Sequence, residues 1–131
     1  MKVHIDQLMN QGQLQLAIRV VMMPKDTNAF GTIFGGVILN YLDLAGVVEA
    51  RRHSSRKLVT VAMHEVKFIA PVYVGDLVSF FTETAKTGTK SITVRVTVLA
   101  KRMAPPHEEV RVTHAEIVYV AVDENGKAVP L

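Results

Sequence analysis

Asp43 is hard to account for by packing alone. It sits in the run Val37–Arg52, where Leu39, Leu42, Leu44 and Val47 surround it at helical spacing and leave almost no polar side. A carboxylate buried there without a partner is costly. It is tolerated if it is hydrogen-bonded, lies at a seam between subunits or lines a cavity, and in the last case a raised pKa would suit a general base. The helix pattern leaves structure and function equally open. Two further features accompany it. Asn28 stands in the loop fifteen residues earlier, where an asparagine is most often a turn former. Gly35 and Gly36 stand where the helix begins, and glycines there leave the first backbone N–H groups uncovered at the positive end of the dipole, open to an anion or a polarised carbonyl. A tight entry turn explains the same pair equally well.

Gly35 and Asp43 are separated by about 12 Å of helix axis, at about 1.5 Å per residue. One helix therefore cannot present both to one reacting carbon. If they serve the same carbon, two helices related by symmetry must supply them, and a homodimer becomes a requirement. Other chemistries find less support. His4, His53, His64, His107 and His114 show no paired metal-ligand spacing, so no metal site is expected, and His64 reads as a packed or edge strand residue. There is no cysteine and no G-x-S-x-G elbow, and the Gly31–Gly36 segment lacks the Lys-Ser/Thr of a P-loop.

The elements that must position these residues are legible from periodicity and turn chemistry. Gln13–Met22 alternates Leu14, Leu16, Ile18 and Val20 with Gln13, Gln15, Ala17 and Arg19, predicting a first strand with one buried face. Pro24–Asn28 and the glycines that follow form a shaped loop. After the helix, Leu58–Ile69, Leu77–Lys86, Ser91–Lys101 and Val110–Val122 are rich in Val, Ile, Thr and Phe, and turn residues separate them at Pro71–Asp76, Thr87–Lys90, Ala104–Pro106 and Asp123–Gly126. About five antiparallel strands that must cover a helix apolar on most sides do so by curling around it, by pairing with a second subunit, or both. The expected class is therefore α+β, a hotdog arrangement with one long central helix in a curled antiparallel sheet.

The chain of 131 residues is read as a single domain spanning 1–131, with a globular composition. Its formal charge of +3 comes from 15 basic and 12 acidic residues without a long basic block, and eight aromatics include no Trp, so nucleic acid is not an expected partner. Met1–Gln15 shows no secretory h-region, and Gly35–Ala50 is broken by Asn40, Asp43 and Glu49 and falls short of the roughly 20 residues of a membrane span. A soluble, cytoplasmic protein is expected. Arg51, Arg52, His53, Arg56 and Lys57 at the end of the helix read first as a solvated terminus favoured by the dipole, and second as a phosphate site.

The run from Met23 to Asp43 closely resembles the signature of hotdog acyl-CoA thioesterases related to bacterial YciA and to the brain-type cytosolic acyl-CoA hydrolases: P-x-D-T-N-x-x-G-x-x-F-G-G, then Asp seven residues after the second Gly. Val59–Ala62, Phe68–Val72, Val74–Asp76, Gly88–Ser91 and Val120–Asp123 match in order, so the resemblance spans nearly the whole chain. It implies hydrolysis of acyl-CoA to fatty acid and CoA, with no cofactor because CoA is part of substrate and product. It implies Asp43 as general base or nucleophile, Asn28 as the group from the neighbouring subunit that places the water or thioester, and the amides around Gly35 and Gly36 as the carbonyl-polarising site. It further implies dimers that commonly assemble into hexamers, a trimer of dimers. Under this reading Thr89, Lys90 and Ser91, a Gly-started turn with hydroxyls and a cation, are expected to hold CoA phosphate, against the alternative of a plain hairpin turn. His64 and Lys67 stand at strand positions where members of that family often differ, and Met103–Glu109 is individual to this chain. The competing readings are an acyl-thioester dehydratase, which would need a histidine at the helix, and a non-catalytic acyl-CoA-sensing domain, which would usually carry a further domain.

Overall fold

The structure, a computed structural model, describes residues 14–131. Its elements are β1 (Gln15–Val21), a 3₁₀ turn (Pro24–Asp26), α1 (Gly35–Ala50), β2 (Lys57–Phe68), β3 (Leu77–Thr87), β4 (Ser91–Lys101) and β5 (Glu109–Val122). The strands form one sheet in the order β1-β3-β4-β5-β2, with every neighbouring pair antiparallel. The chain therefore enters at one edge of the sheet, runs through α1, and resumes at the opposite edge.

α1 lies against the inner face of this sheet. Its Ile38, Leu42, Ala45 and Ala50 share one core with Val78 and Phe80 of β3, Val94, Val96 and Val98 of β4, and Ala115, Ile117 and Tyr119 of β5. Alternate residues Phe81 and Leu99 form a second small cluster with Leu14 on the other face. The five-stranded antiparallel sheet around one long helix matches the expected hotdog arrangement. β4 has its predicted bounds, and the other described strands agree within two residues. Gln13, at the start of the predicted first strand, lies outside the described residues.

Two expectations change. The first strand does not keep one buried face, because the register shifts between Leu16 and Ile18. Past that bulge Ala17, Ile18 and Val20 pack on the core, while Leu16 is left exposed. The helix begins and ends two residues earlier than the predicted Val37–Arg52, and it is not covered on all sides within one protomer. Leu44 and Val48, one turn apart, stay about half exposed at 51% and 50%. They flank Asp43 on the side facing away from the sheet's centre.

Candidate functional site

Asp43 is held from two strands at once. Thr60 of β2 donates its hydroxyl to Asp43 Oδ1 at 2.8 Å, and the Tyr119 hydroxyl of β5 lies 3.1 Å from the same Oδ1 and 2.8 Å from the Asp43 carbonyl oxygen. Sheet register explains this convergence. Thr60 and Tyr119 are directly paired across the β2–β5 ladder, so their side chains rise on the same face, the face on which α1 lies. A bulge follows at once, with Val61 extra between the Thr60 and Ala62 pairs, and it turns the strand away beyond the site. Oδ2 of Asp43 has no hydrogen-bond partner among the described residues, so one carboxylate oxygen is fixed and the other is free.

Tyr119 reaches the helix backbone because Gly46 lies opposite it. A Cβ at Gly46 would stand 2.9 Å from Tyr119 Cζ and closer still to its hydroxyl. Burial first, and then the Asp43 charge and hydrogen bond, push the Tyr119 phenol well above its ordinary pKa. It therefore remains a hydrogen-bond donor across the working pH range. Neither Thr60 nor Tyr119 was singled out from sequence. The available signal was Gly46, a glycine inside an apolar helix, which marks a close approach by another group.

Asn28 is engaged in its own loop. Its Oδ1 accepts from the Phe30 and Thr32 N–H groups at 2.8 and 3.2 Å, and its Nδ2 donates to Thr32 Oγ1 at 2.8 Å. Within one protomer no hydrogen bond joins it to Asp43. Gly35 and Gly36 open α1 directly after Phe34, and their N–H groups have no hydrogen-bond partner among the described residues. Gly35 borders an apolar cavity of about 310 Å³ with Ile38, Phe68 and Val72, and Gly36 borders one of about 460 Å³ with Asp26, Thr27 and Tyr41. The phenyl ring of Phe68 lies over Gly35, at 3.4 Å from where a Cβ would stand. The uncovered amides thus sit between two clefts, eight residues from Asp43 on the same helix.

Thr89, Lys90 and Ser91 form the β3–β4 hairpin turn, closed by the Gly88 N–H on the Ser91 carbonyl at 2.8 Å. The turn is also tied to the C-terminus, since Thr89 O accepts from Leu131 N and Lys90 O from Ala121 N. The Thr89 and Lys90 side chains are exposed. A second helix carboxylate, Glu49, is buried but fully occupied by Thr82, Thr84 and Arg52. His64 is exposed on β2 opposite Glu116, away from Asp43. Among the described residues no group of three His, Asp or Glu side chains is placed to hold a metal, and no helix is long and apolar enough to cross a membrane.

Residues 30–106 match the family model described as the thioesterase superfamily. The acyl-CoA thioester hydrolase YciA of Salmonella typhimurium is 39% identical over 124 residues, 93% of each chain. The chain belongs to the thioesterase superfamily, in the branch of the acyl-CoA thioester hydrolases. Solved relatives agree in fold. Cj0915, a hexameric hotdog fold thioesterase of Campylobacter jejuni, superposes with a TM-score of 0.84 at 39% identity, covering 89% of this chain and 90% of its own. HI0827, a hexameric broad specificity acyl-coenzyme A thioesterase, gives 0.82 at 40% identity over 88% and 79%.

For a thioesterase of this branch, the Tyr119 contact makes a testable statement. Tyr119→Phe removes one of the two hydroxyls that hold Oδ1 and should lower kcat by about tenfold, the scale of about 1–1.5 kcal/mol for one lost hydrogen bond, read by steady-state thiol release. An unchanged kcat with an intact fold would show that Tyr119 only packs.

Proposed function

We propose that this protein is a cytoplasmic acyl-CoA thioester hydrolase in which Asp43 takes the proton of an attacking water or itself attacks the thioester carbon. The observation that carries the reading is the half-engaged carboxylate: Oδ1 clamped by Thr60 and Tyr119, Oδ2 free. A thioester carbonyl is already electrophilic, so one oriented carboxylate and an oxyanion site suffice without a metal or a Ser-His pair. The uncovered N–H groups of Gly35 and Gly36 are the oxyanion site in this reading. A C–O bond forms to the acyl carbon as its C–S bond breaks: in the general-base route the oxygen is that of water and the proton taken by Asp43 passes to the CoA thiolate, whereas in the nucleophilic route the Asp43 acyl anhydride is then hydrolysed by water, which supplies the thiolate's proton.

The amides and the carboxylate come from different subunits, because about 12 Å of α1 separates Gly35 from Asp43. The surface of one protomer supports the pairing. β2 is an edge strand with unpaired backbone groups, and Val61, Phe68, Leu44 and Val48 are each at least half exposed beside it and beside Asp43. A two-fold axis here brings Asp43 of one protomer to the Gly35–Gly36 turn of its partner, with the partner's Asn28 loop alongside. The dimers assemble further into a hexamer, a reading supported by the hexameric Cj0915 and HI0827. Thr89, Lys90 and Ser91 contribute to holding CoA phosphate. They lie on the sheet end where β2 begins, since Ser91 pairs with Val120 and Val120 with Val59.

The test is free-thiol release from a panel of acyl-CoAs, together with complementation. Asp43→Asn and Asn28→Asp are chosen because each preserves most local hydrogen bonds. Alone, each variant should be nearly inactive. Co-expressed, they should recover about a quarter of the unsubstituted rate, because half the dimers are mixed and each mixed dimer has one intact site. No recovery from folded mixed dimers would overturn the shared site, and no thiol release by the unsubstituted protein would overturn the activity.

A further inference from the structure

Asp76, in the turn between β2 and β3, is a buried carboxylate, 2% exposed, that the chemistry at Asp43 does not use. A charge at that depth is costly without partners. Its Oδ2 has two: the Tyr73 N–H donates to it at 2.9 Å, and Arg102, just past β4, donates from Nη1. The same Nη1 lies 3.1 Å from the Pro71 carbonyl oxygen, and the guanidinium carbon stands 4.8 Å from the centre of the Tyr73 ring. One side chain therefore grips the Pro71–Asp76 turn at three points. Arg102 is itself fixed, since its N–H donates to the Glu108 carbonyl at 2.9 Å.

That turn is what the site-bearing loop rests on. Met22 donates its N–H to the Asp76 carbonyl at 3.0 Å and accepts from the Gly75 N–H at 2.8 Å, and the Ile33 N–H donates to the Val72 carbonyl at 2.8 Å. Between these two attachments the chain carries Asn28, and directly after the second come Gly35 and Gly36. The loop is cross-tied within itself by the Thr27–Ile33 bridge and by the Phe34 N–H on the Asp26 carbonyl at 2.8 Å, so it follows the turn as one piece. Resting on the hydrolase reading above, in which Asn28 and the Gly35–Gly36 amides belong to the site, we propose that Arg102 is a positioning residue for the reaction. Clamped on Asp76 and Pro71, it fixes the turn against which Met22–Gly36 is registered, and so holds the amides in line with the thioester carbonyl. It acts through the turn and not on the substrate.

The test pairs kinetics with amide exchange. In Arg102→Gln, kcat for acyl-CoA should fall about 10²-fold, the scale of misplacing aligned groups by about 1 Å, while KM stays within about threefold. Hydrogen exchange at the Ile33 amide should quicken about tenfold or more, with that of Val96 at the centre of the sheet unchanged. Arg102→Lys keeps a charge beside Asp76 but lacks the planar fork and the stacking face. It should unfold at nearly the parent temperature and still lose about tenfold in kcat, which a merely structural ion pair would not do. Should Arg102→Gln not fold, Arg102→Lys decides by the same measurements. Lys101→Gln, an exposed cation on β4, controls for net charge and should change neither kcat nor exchange. Unchanged kcat in folded variants, or Ile33 exchange no faster than in the parent, would overturn the assignment. If the unsubstituted protein hydrolyses no acyl-CoA, the hydrolase reading fails, and Ile33 exchange in Arg102→Gln still shows whether Arg102 holds the loop.

Discussion

Asp43→Asn should lower kcat for acyl-CoA hydrolysis by about 10³-fold while leaving the fold intact, which is the scale of losing a positioned general base. The geometry makes this substitution unusually clean. The amide oxygen of Asn can accept from Thr60 and Tyr119 as Oδ1 does, so the helix–strand clamp persists. Only the free oxygen becomes an NH₂ group, which neither takes a proton nor attacks a carbonyl. Asp43→Glu is the complementary probe. It keeps the charge but lengthens the side chain by a methylene, and a displacement of that size costs about 10²-fold where reacting groups must be aligned. Steady-state thiol release with thermal unfolding as the fold check measures both. An Asn variant that keeps a tenth of the activity would mean that Asp43 is not the reacting carboxylate.

The same geometry explains how far the sequence could be read. Strand β4 and the turns were legible because their signals are local: alternation of Val and Thr, Gly and Pro at fixed places. The face of β1 was not, because a bulge between Leu16 and Ile18 answers to the neighbouring strand β3 and leaves no mark on local alternation. Asp43 was legible as an anomaly, a carboxylate on an apolar helix, yet its partners were not. Thr60 and Tyr119 are ordinary strand residues whose meaning arises only when β2 and β5 pair in a register that puts them opposite each other. Asn28 shows the converse. Its residue type suggested a turn former, its motif suggested chemistry, and its bonds to Phe30 and Thr32 show the turn within one protomer. Any further duty falls to its remaining amide N–H.

The half-exposed residues Leu44 and Val48 belong to the same lesson. An all-round apolar helix implied full burial, and one protomer supplies only part of it. The remainder lies beside an open strand edge and beside the free oxygen of Asp43. On the proposed shared site, hydrophobic burial and catalysis call on the same second subunit, so conditions that dissociate the dimer should remove the site as well.

Gly46→Ala should destabilise the protein by about 2 kcal/mol and depress activity, against the ordinary expectation for a helix. Helix propensity alone favours Ala over Gly by about 1 kcal/mol. Here an added Cβ would lie 2.9 Å from Tyr119 Cζ and nearer its hydroxyl, in a core where Tyr119 is fully buried. Overpacking of that kind costs about 1–3 kcal/mol. Moving the ring aside also gives up its one donated O–H, shared between the Asp43 carbonyl and Oδ1, about 1 kcal/mol or more. The opposing terms leave a net loss, and the freed carboxylate loses one of its two clamps. A double-mutant cycle with Tyr119→Phe isolates the cause. Removing the hydroxyl relieves the closest contact, so the double variant should be more stable than the sum of the single effects by about 1 kcal/mol, measured as urea unfolding free energies. Strict additivity, or a Gly46→Ala protein as stable and active as its parent, would show that the glycine does not make room for Tyr119 and that the phenol reaches Asp43 by some other accommodation.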